Sequence, residues 1–187
     1  MIHYQGKILS RYVGLLLILI SIAFNSQARA DSIENIQPPT GIRHYDKGQA
    51  PDFKLNDMDG NPLSLKENRG RWVFLHFWAS WCGPCRKEMP VIQKLADRLE
   101  SDKFKIIMVN TAEDEDTIFE FLASIGVELN SLMDTDGQVT EVWKPRGLPS
   151  TFLINPEGKI KYQAIGGRNW VAPEYIDFLN KLIASSL

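Results

Sequence analysis

The sequence predicts an α/β fold in which a central mixed β-sheet carries helices on both faces. Two apolar runs of strand length, residues 71–78 and 104–111, support this fold class, because each precedes a segment with helical spacing of its apolar residues. A third observation is that residues 150–166 have the pattern of an antiparallel hairpin. Strands that alternate with helices and then end in a hairpin indicate a sheet with both parallel and antiparallel pairs.

The first 30 residues predict a signal peptide. Lys7 and Arg11 provide the positive start, residues 13–24 form an apolar run, and the Ala-Arg-Ala of residues 28–30 fits a signal-peptidase site. The apolar run is shorter than the roughly 20 residues that span a bilayer, but an uncleaved anchor in the inner membrane remains an alternative. We therefore expect an exported, periplasmic protein in a compartment where disulfides persist.

The rest of the chain divides into a tether and one domain. Residues 31–49 are polar and contain Pro-Pro, so we expect a tether there, and we expect the folded domain over residues 50–187. The whole chain has 21 Lys and Arg against 23 Asp and Glu, a net charge of −2. No basic patch stands out, so we expect no nucleic-acid partner.

Within the domain, the pattern assigns each element in turn. Nearly continuous apolar runs are typical of strands buried on both faces, and acidic residues are favoured at the start of a helix by its dipole. In chain order we predict a hairpin that turns at Asp59-Gly60, a strand over 71–78, a helix over 82–99, a strand over 104–111, a helix over 113–127 that stops near Gly126, a short strand over 131–134, a short helix over 136–143, the hairpin over 150–166 and a last helix over 173–184.

The chain has two cysteines, Cys82 and Cys85. A disulfide that closes a four-residue loop stabilises by only about 2 kcal/mol, against about 4.7 for a hundred-residue loop, so a structural staple is disfavoured. Zinc needs four ligands, and His3 and His44 lie outside the predicted domain. We predict no resident metal or cofactor. A copper(I) site that uses the two thiolates alone remains an alternative function.

The spacing of the cysteines favours redox chemistry. One helical turn brings Cys82 and Cys85 within disulfide reach. At the helix N-terminus, free N–H groups and the dipole would stabilise the Cys82 thiolate and lower its pKa, which makes it the nucleophile. Cys85 would then resolve the mixed disulfide. Pro84 after Gly83 fits the first helical turn, where N–H groups have no intrahelical partner.

Three segments together resemble the TlpA/ResA-like exported members of the thioredoxin family: FWASWCGPCRKEMP, GLPSTFLINPEGKI and APDFKLNDMDGNPLSL. The resemblance covers residues 50–187. It implies a thioredoxin fold with an N-terminal β-hairpin extension and a thiol–disulfide oxidoreductase with a redox-active Cys82–Cys85 disulfide. It also implies a cis bond before Pro149, which helps to keep metals off the cysteines, and a Leu148 backbone that pairs with an extended substrate. We expect Trp81 to line the substrate surface and Trp78 to lie in the core.

Two ionisable residues near the motif have open roles. The resemblance places Glu88 where the family carries an acid close to the cysteines, so it could exchange a proton with Cys85; the alternative is a solvated acid near a helix start. His76 stands where thioredoxin has a buried Asp, which puts a thioredoxin-like proton pathway in doubt. It either relays a proton to Cys85 or, as we favour, packs as a satisfied core histidine.

The motif also predicts the direction of electron flow. Gly83-Pro84 places no cation between the cysteines, so only the helix terminus stabilises the thiolate, and we predict a reductant of protein disulfides. The expected partners are disulfide-bearing proteins and, by the resemblance, a membrane protein that supplies electrons; we expect a monomer. Apocytochrome c, copper-site cysteines and misoxidised proteins in general are substrates within the family, and the sequence does not distinguish them.

A thiol peroxidase is a further alternative, because peroxiredoxins share the N-terminal pattern. It is disfavoured because the peroxidatic cysteine of those proteins follows a Thr three residues earlier, and Ala79 occupies that position here.

Overall fold

A computed structural model describes residues 36–185; the predicted signal peptide lies outside them. The strands are β1 (Ile42–Gln49), β2 (Lys54–Asn56), β3 (Pro62–Ser64), β4 (Trp72–Trp78), β5 (Phe104–Thr111), β6 (Leu132–Asp134), β7 (Ser150–Ile154) and β8 (Lys159–Ile165). The helices are α1 (Gly83–Leu99), α2 (Glu115–Ile125), α3 (Gln138–Trp143) and α4 (Pro173–Ala184), with a single 3-10 turn at Leu65–Asn68.

Six strands form the main sheet in the order β1-β8-β7-β4-β5-β6. β4 pairs with β5 in parallel and with β7 in antiparallel orientation, so the predicted mixed sheet is confirmed. All seven residues of β4 are buried, as its continuous apolar run predicts. β2 and β3 form the predicted hairpin as a separate two-stranded sheet. The strand with the active-site motif at its end is therefore the centre of the fold.

The side chains of β4 alternate between two cores. Val73, Leu75 and Phe77 join a cluster with Phe53 and Trp143, so the hairpin and α3 cover that face. On the opposite face, ring contacts join Trp78 to Phe121 of α2 and Tyr162 of β8 to Phe178 of α4. His76 lies on this second face, where the Glu88 side chain of α1 approaches it. Helices thus cover both faces, and one of them brings an acid to the central strand.

The predicted tether is wrong for residues 42–49. They form β1, an edge strand that pairs antiparallel with β8 from Ile42 opposite Ala164 to Gln49 opposite Lys159. Of its eight residues only Ile42 is buried, because an edge strand outside the core needs few apolar residues. Backbone pairing rather than side-chain burial holds this strand, and the folded unit therefore begins before residue 50.

The four helices lie where the sequence predicts them, but α2 and α3 each begin two residues later than predicted, at Glu115 and Gln138. Gly126 ends α2 in a left-handed conformation with φ of 63°, as predicted. The helix begins at Glu115 rather than at Glu113, because the Asp114 side chain accepts a hydrogen bond from the Thr117 N–H at 2.8 Å and caps it. Within residues 36–185, no helix combines the length and apolarity needed to cross a membrane.

Candidate active site

The two cysteines lie where β4 passes into α1. Cys82 is the N-cap of α1, and its Sγ accepts a hydrogen bond from the Cys85 N–H at 3.2 Å. Gly83 and Pro84 form the start of the helix, where the missing N–H of proline costs no intrahelical bond. Cys82 and Cys85 form a disulfide, with a distance of 5.2 Å between their Cα atoms. The predicted helix start and disulfide are therefore present.

The residues that precede β7 lie at the same end of the sheet as the two cysteines. The bond between Leu148 and Pro149 is cis, and the Pro149 carbonyl accepts a hydrogen bond from the Gly166 N–H at 2.8 Å. A Cβ atom on the next residue, Gly167, would lie 3.2 Å from the Pro84 carbonyl oxygen, so the two segments approach closely. The cis-proline segment therefore reaches the CxxC turn through residues 166–167. Leu148 is half-buried and Pro149 is buried.

The turn between β4 and α1 separates two tryptophans. Trp78 is fully buried, and its Nε1–H donates to Ser131 Oγ at 3.0 Å, so the prediction that it belongs to the core is confirmed. Trp81 is 70% exposed, directly beside Cys82. An indole that remains this exposed next to a reactive sulfur is available to contact another molecule.

An acid outside the motif holds this turn. Glu113 accepts hydrogen bonds from the Ser80 N–H at 2.8 Å, from the Ser80 hydroxyl and from Asn110 Nδ2–H at 2.7 Å. The preceding residue, Ala112, has a φ of 56°, which is strained for a residue with a Cβ atom. This backbone conformation places the Glu113 side chain beside Ser80. We call Ser80, Asn110 and Glu113 the turn brace.

Glu88 is buried rather than solvated, so that alternative is wrong. It lies one helical turn after Cys85, and only 2% of its surface is exposed. Its Oε1 accepts hydrogen bonds from Trp170 Nε1–H at 2.6 Å and from the Arg168 N–H at 3.1 Å. Burial raises the pKa of Glu88 from 4.5 to about 7, against the hydrogen bonds and the nearby Arg168 charge, which lower it. The group can therefore gain or lose a proton near neutral pH.

His76 is buried at the same place. Its Nδ1 lies 2.9 Å from Thr151 Oγ1, and its ring stacks on Phe74 with 5.9 Å between ring centroids. Burial, with a smaller contribution from the Arg168 charge, lowers the pKa of His76 from 6.5 to about 3. The imidazole is therefore neutral at physiological pH.

One atom of each residue is left without a partner. Among residues 36–185, His76 Nε2 and Glu88 Oε2 are both buried and lack a hydrogen bond. They face each other at 3.7 Å, which is too long for a hydrogen bond. Because His76 is neutral, this contact is not an ion pair. The expectation of a satisfied core histidine therefore holds for Nδ1 and is wrong for Nε2.

A groove of about 490 Å³ opens beside the motif. It is lined by Pro84, Lys87, Glu88, Val91, Gly167, Arg168 and Asn169. The buried acid thus borders on solvent-accessible space on one side and on His76 on the other. Within residues 36–185, no group of three or more His, Cys, Asp or Glu side chains is arranged to hold a metal ion.

Several residues of this site carry no signal in the sequence. The sequence predicts Glu113 only as part of a helix start, and it predicts no site role for Trp170, Arg168 or Thr151. They reach the site from segments 33–82 residues away from their partners, as with Ser80 and Glu113 or Trp170 and Glu88. No local motif could have found them. A buried acid would have been suggested only by the apolar neighbours of Glu88 on α1.

The sheet order, the CxxC turn at the start of α1 and the cis-proline segment define a thioredoxin-fold protein with a redox-active disulfide. A family model described as the AhpC/TSA family matches residues 47–163. The chain belongs to that family, and its relatives place it among ResA-like thiol–disulfide oxidoreductases.

Two of the relatives named thiol–disulfide oxidoreductase ResA show the extent of the similarity. The protein from Bacillus subtilis is 40% identical over 59% of this chain and 62% of its own length. The protein from Geobacillus thermodenitrificans is 32% identical over 84% of this chain and 86% of its own length. Among solved structures, a candidate thiol:disulfide interchange protein DsbE from Chlorobium tepidum is 29% identical and covers 78% of this chain and all of its own, with a TM-score of 0.65. This chain therefore spans less than two thirds of the length of the Bacillus subtilis relative.

Proposed function

We propose that this protein reduces disulfides of other proteins outside the cytosol. The observation that carries the proposal is the position of Cys82, whose sulfur accepts the Cys85 N–H at the N-terminus of α1. In the reduced protein, this N–H and the helix dipole stabilise a thiolate at Cys82. Cys82 is 5% exposed, whereas Cys85 is fully buried behind it. Cys82 is therefore the nucleophile and Cys85 the resolving cysteine.

The reaction proceeds in two exchanges. The Cys82 thiolate attacks one sulfur of the substrate disulfide, the substrate S–S bond breaks, and the first substrate thiolate leaves and takes a proton. The Cys85 thiol then passes its proton to the Glu88 carboxylate and attacks Cys82 Sγ. The second substrate thiolate leaves, and it receives a proton from Glu88 or from solvent. The dithiol thus gives two electrons to the substrate, the first substrate thiolate takes its proton from solvent and the second from Glu88 or from solvent, and Cys82–Cys85 becomes the disulfide.

The surroundings of the motif support a reducing potential. No cation lies between the cysteines, and the two cations that follow them on α1, Arg86 and Lys87, are exposed. The Arg86 guanidinium lies over the Phe121 ring, 4.6 Å from its centroid. A thiolate stabilised by a helix terminus alone is less favoured than one beside a cation, so the dithiol remains a good electron donor.

The substrate contacts follow from the exposed surface around Cys82. Trp81 offers an apolar face, and the backbone at Leu148 offers pairing to an extended chain. The leader supports export, and a protein that donates electrons there needs a membrane partner that resupplies them. Maturation of cytochrome c, in which haem-binding cysteines must be reduced, is one of the roles that the family resemblance implies, and it is the one that we propose for this protein.

The equilibrium constant with glutathione or dithiothreitol tests the direction of the reaction. We expect a strongly reducing protein; a midpoint potential of about −120 mV, as for a dedicated oxidant, would overturn the proposal. The variant Cys85→Ser should accumulate substrates as mixed disulfides on Cys82, because resolution is blocked. The variant in which both cysteines are Ser is the control, and mass spectrometry of the trapped proteins identifies the substrates.

A further inference from the structure

We propose that His76 is a positioning residue that moves its single ring proton between Nδ1 and Nε2, so that Glu88 has a hydrogen-bond partner whether its carboxyl group is protonated or ionised. The starting point is the pair of buried, unpartnered atoms, His76 Nε2 and Glu88 Oε2, that face each other at 3.7 Å. A buried polar atom without a hydrogen-bond partner destabilises the fold, so a proton shared between these two atoms has a clear benefit.

Thr151 makes both arrangements possible. It lies directly opposite His76 in the antiparallel pair of β4 and β7, and its Oγ1 is 2.9 Å from Nδ1. A hydroxyl group can accept a hydrogen bond from Nδ1–H or donate one to Nδ1. Thr151 therefore satisfies Nδ1 in either tautomer. A methyl group in place of this hydroxyl could do neither.

Two states follow. With Glu88 protonated, its Oε2–H donates to Nε2, and Nδ1–H donates to Thr151 Oγ1. With Glu88 ionised, Nε2–H donates to Oε2, and the Thr151 hydroxyl donates to Nδ1. The ring keeps one proton in both states, and the difference is the one proton that leaves Glu88 for the Cys85 thiolate or for solvent. Each state requires Nε2 and Oε2 to approach by somewhat under 1 Å, to the usual hydrogen-bond distance.

Other groups around the pair limit what titrates. The Arg168 guanidinium acts on both residues from the segment after β8, and Trp170 Nε1–H and the Arg168 N–H occupy the other oxygen of Glu88. Lys87 lines the groove on α1 and is exposed. The cysteines, in their disulfide, do not titrate. Burial raises the pKa of Glu88 to about 7 and lowers that of His76 to about 3, so Glu88 is the member of the pair that changes charge near neutral pH.

Nitrogen-15 NMR of the histidine rings in the full-length oxidised protein tests this inference. The spectrum of His76→Gln assigns the His76 signals against those of the other two histidines. We expect a neutral His76 ring whose proton moves from Nδ1 to Nε2 as the pH rises through about 7. In Glu88→Gln the tautomer should not change with pH. A wild-type ring that keeps one tautomer, or that gains a second proton in this range, would overturn the inference.

Thr151→Val gives a second, independent result. A buried Nδ1–H without an acceptor is costlier than a bare Nδ1, so the Nε2–H tautomer should prevail and the midpoint should move to lower pH. Thr151→Ser keeps the hydroxyl and should restore the wild-type midpoint. An unchanged or raised midpoint in Thr151→Val would contradict the role of Thr151, and the wild-type titration decides the case if that variant does not fold.

This inference rests on the proposed function, since Glu88 is the acid that it serves. The two can nevertheless fail separately. The NMR titration uses no substrate and no reduced cysteine. A His76 tautomer that does not change with pH would therefore contradict the inference and not the proposed disulfide reduction. An equilibrium constant with glutathione typical of an oxidant would contradict the proposed function and not the tautomer exchange.

Discussion

Two glutamates flank the CxxC turn, and they differ in burial and in whether both carboxylate oxygens accept hydrogen bonds. Glu113, in the turn brace, is half-buried and accepts three hydrogen bonds through its two oxygens. Glu88 is almost completely buried and accepts two, both on Oε1, which leaves Oε2 without a partner. Both oxygens of the Glu113 carboxylate thus accept hydrogen bonds from the protein. In Glu88 one oxygen remains without a hydrogen-bond donor.

The difference separates an acid that holds structure from an acid that can do chemistry. Hydrogen bonds to a carboxylate favour its ionised form, whereas burial without enough of them favours the protonated form. Glu88 follows the second case, with its pKa raised to about 7. We therefore propose that Glu88 exchanges a proton during the reaction and that Glu113 positions the Ser80–Trp81 turn. Replacement of each glutamate by glutamine, which keeps the size and removes the charge, tests the assignment.

The largest expected effect is on the pH dependence of stability in Glu88→Gln. An acid whose folded pKa is raised from 4.5 to about 7 stabilises the protein fully below pH 4.5, and this contribution is lost as the pH rises to about 7. Glu88→Gln has no carboxyl group to titrate, so it does not lose this stabilisation. Its free energy of unfolding relative to the wild type should therefore rise by about 3 kcal/mol as the pH increases from 4.5 to about 7.

Urea unfolding of both proteins at the two ends of this range measures the change. His76 has its pKa lowered to about 3, so it contributes the opposite slope below pH 6.5 in both proteins and cancels in the difference. A difference between variant and wild type that does not depend on pH would show that Glu88 is not held protonated.

The next effect is the loss of the turn brace in Glu113→Gln. The amide group offers one acceptor oxygen instead of two, so the Ser80 N–H or its hydroxyl loses its partner. We expect a loss of about 2 kcal/mol in the free energy of unfolding at neutral pH, the usual size for a hydrogen bond to a charged group. Ser80→Ala, which removes only the hydroxyl bond, should lose less. Unchanged unfolding midpoints in both variants would contradict the brace.

The smallest effect on stability is expected for Trp81→Ala, at the end of the braced turn. The side chain is 70% exposed, so the free energy of unfolding should change by no more than about 0.5 kcal/mol. Reduction of a protein disulfide should slow several-fold through a higher KM, while reduction of a small aromatic disulfide should not. Phe119→Ala is the matched control, because Phe119 is 63% exposed on α2 and lines a groove with Met58 and Leu129 instead of the groove beside the motif. Equal effects of the two variants would rule out a substrate contact specific to Trp81.

The sequence predicts the elements that have an apolar signature. It predicts β4, β5 and α1, because continuous apolar runs and helical spacing mark buried surfaces. It does not predict β1, because an edge strand exposes most of its side chains and the segment IRHYDKGQ has the composition of a loop. Its pairing with β8 is made by backbone groups, which every residue carries, so no side-chain pattern records it.

The candidate site divides in the same way. Cys82, Cys85, Pro84 and the cis-proline were predicted because short spacings and a family resemblance carry them. The burial of Glu88 was not, because it depends on Trp170 and on the segment around Arg168, 80 or more residues away. The facing of His76 and Glu88 likewise exists only once α1 packs on the central strand. The motif itself predicts which residues react, whereas the burial and charges that set their pKa values depend on tertiary packing.

The most direct test of the account is the pH profile of disulfide exchange in Glu88→Gln beside Glu113→Gln. The wild-type rate with a protein disulfide should show a transition near pH 7, where Glu88 changes its protonation state. Glu113→Gln should keep this transition at a lower rate. Glu88→Gln should lack it and lose about a hundredfold in rate, the usual contribution of a positioned acid or base. A Glu88→Gln protein with the wild-type profile and rate would contradict the claim that this buried acid moves the proton of Cys85.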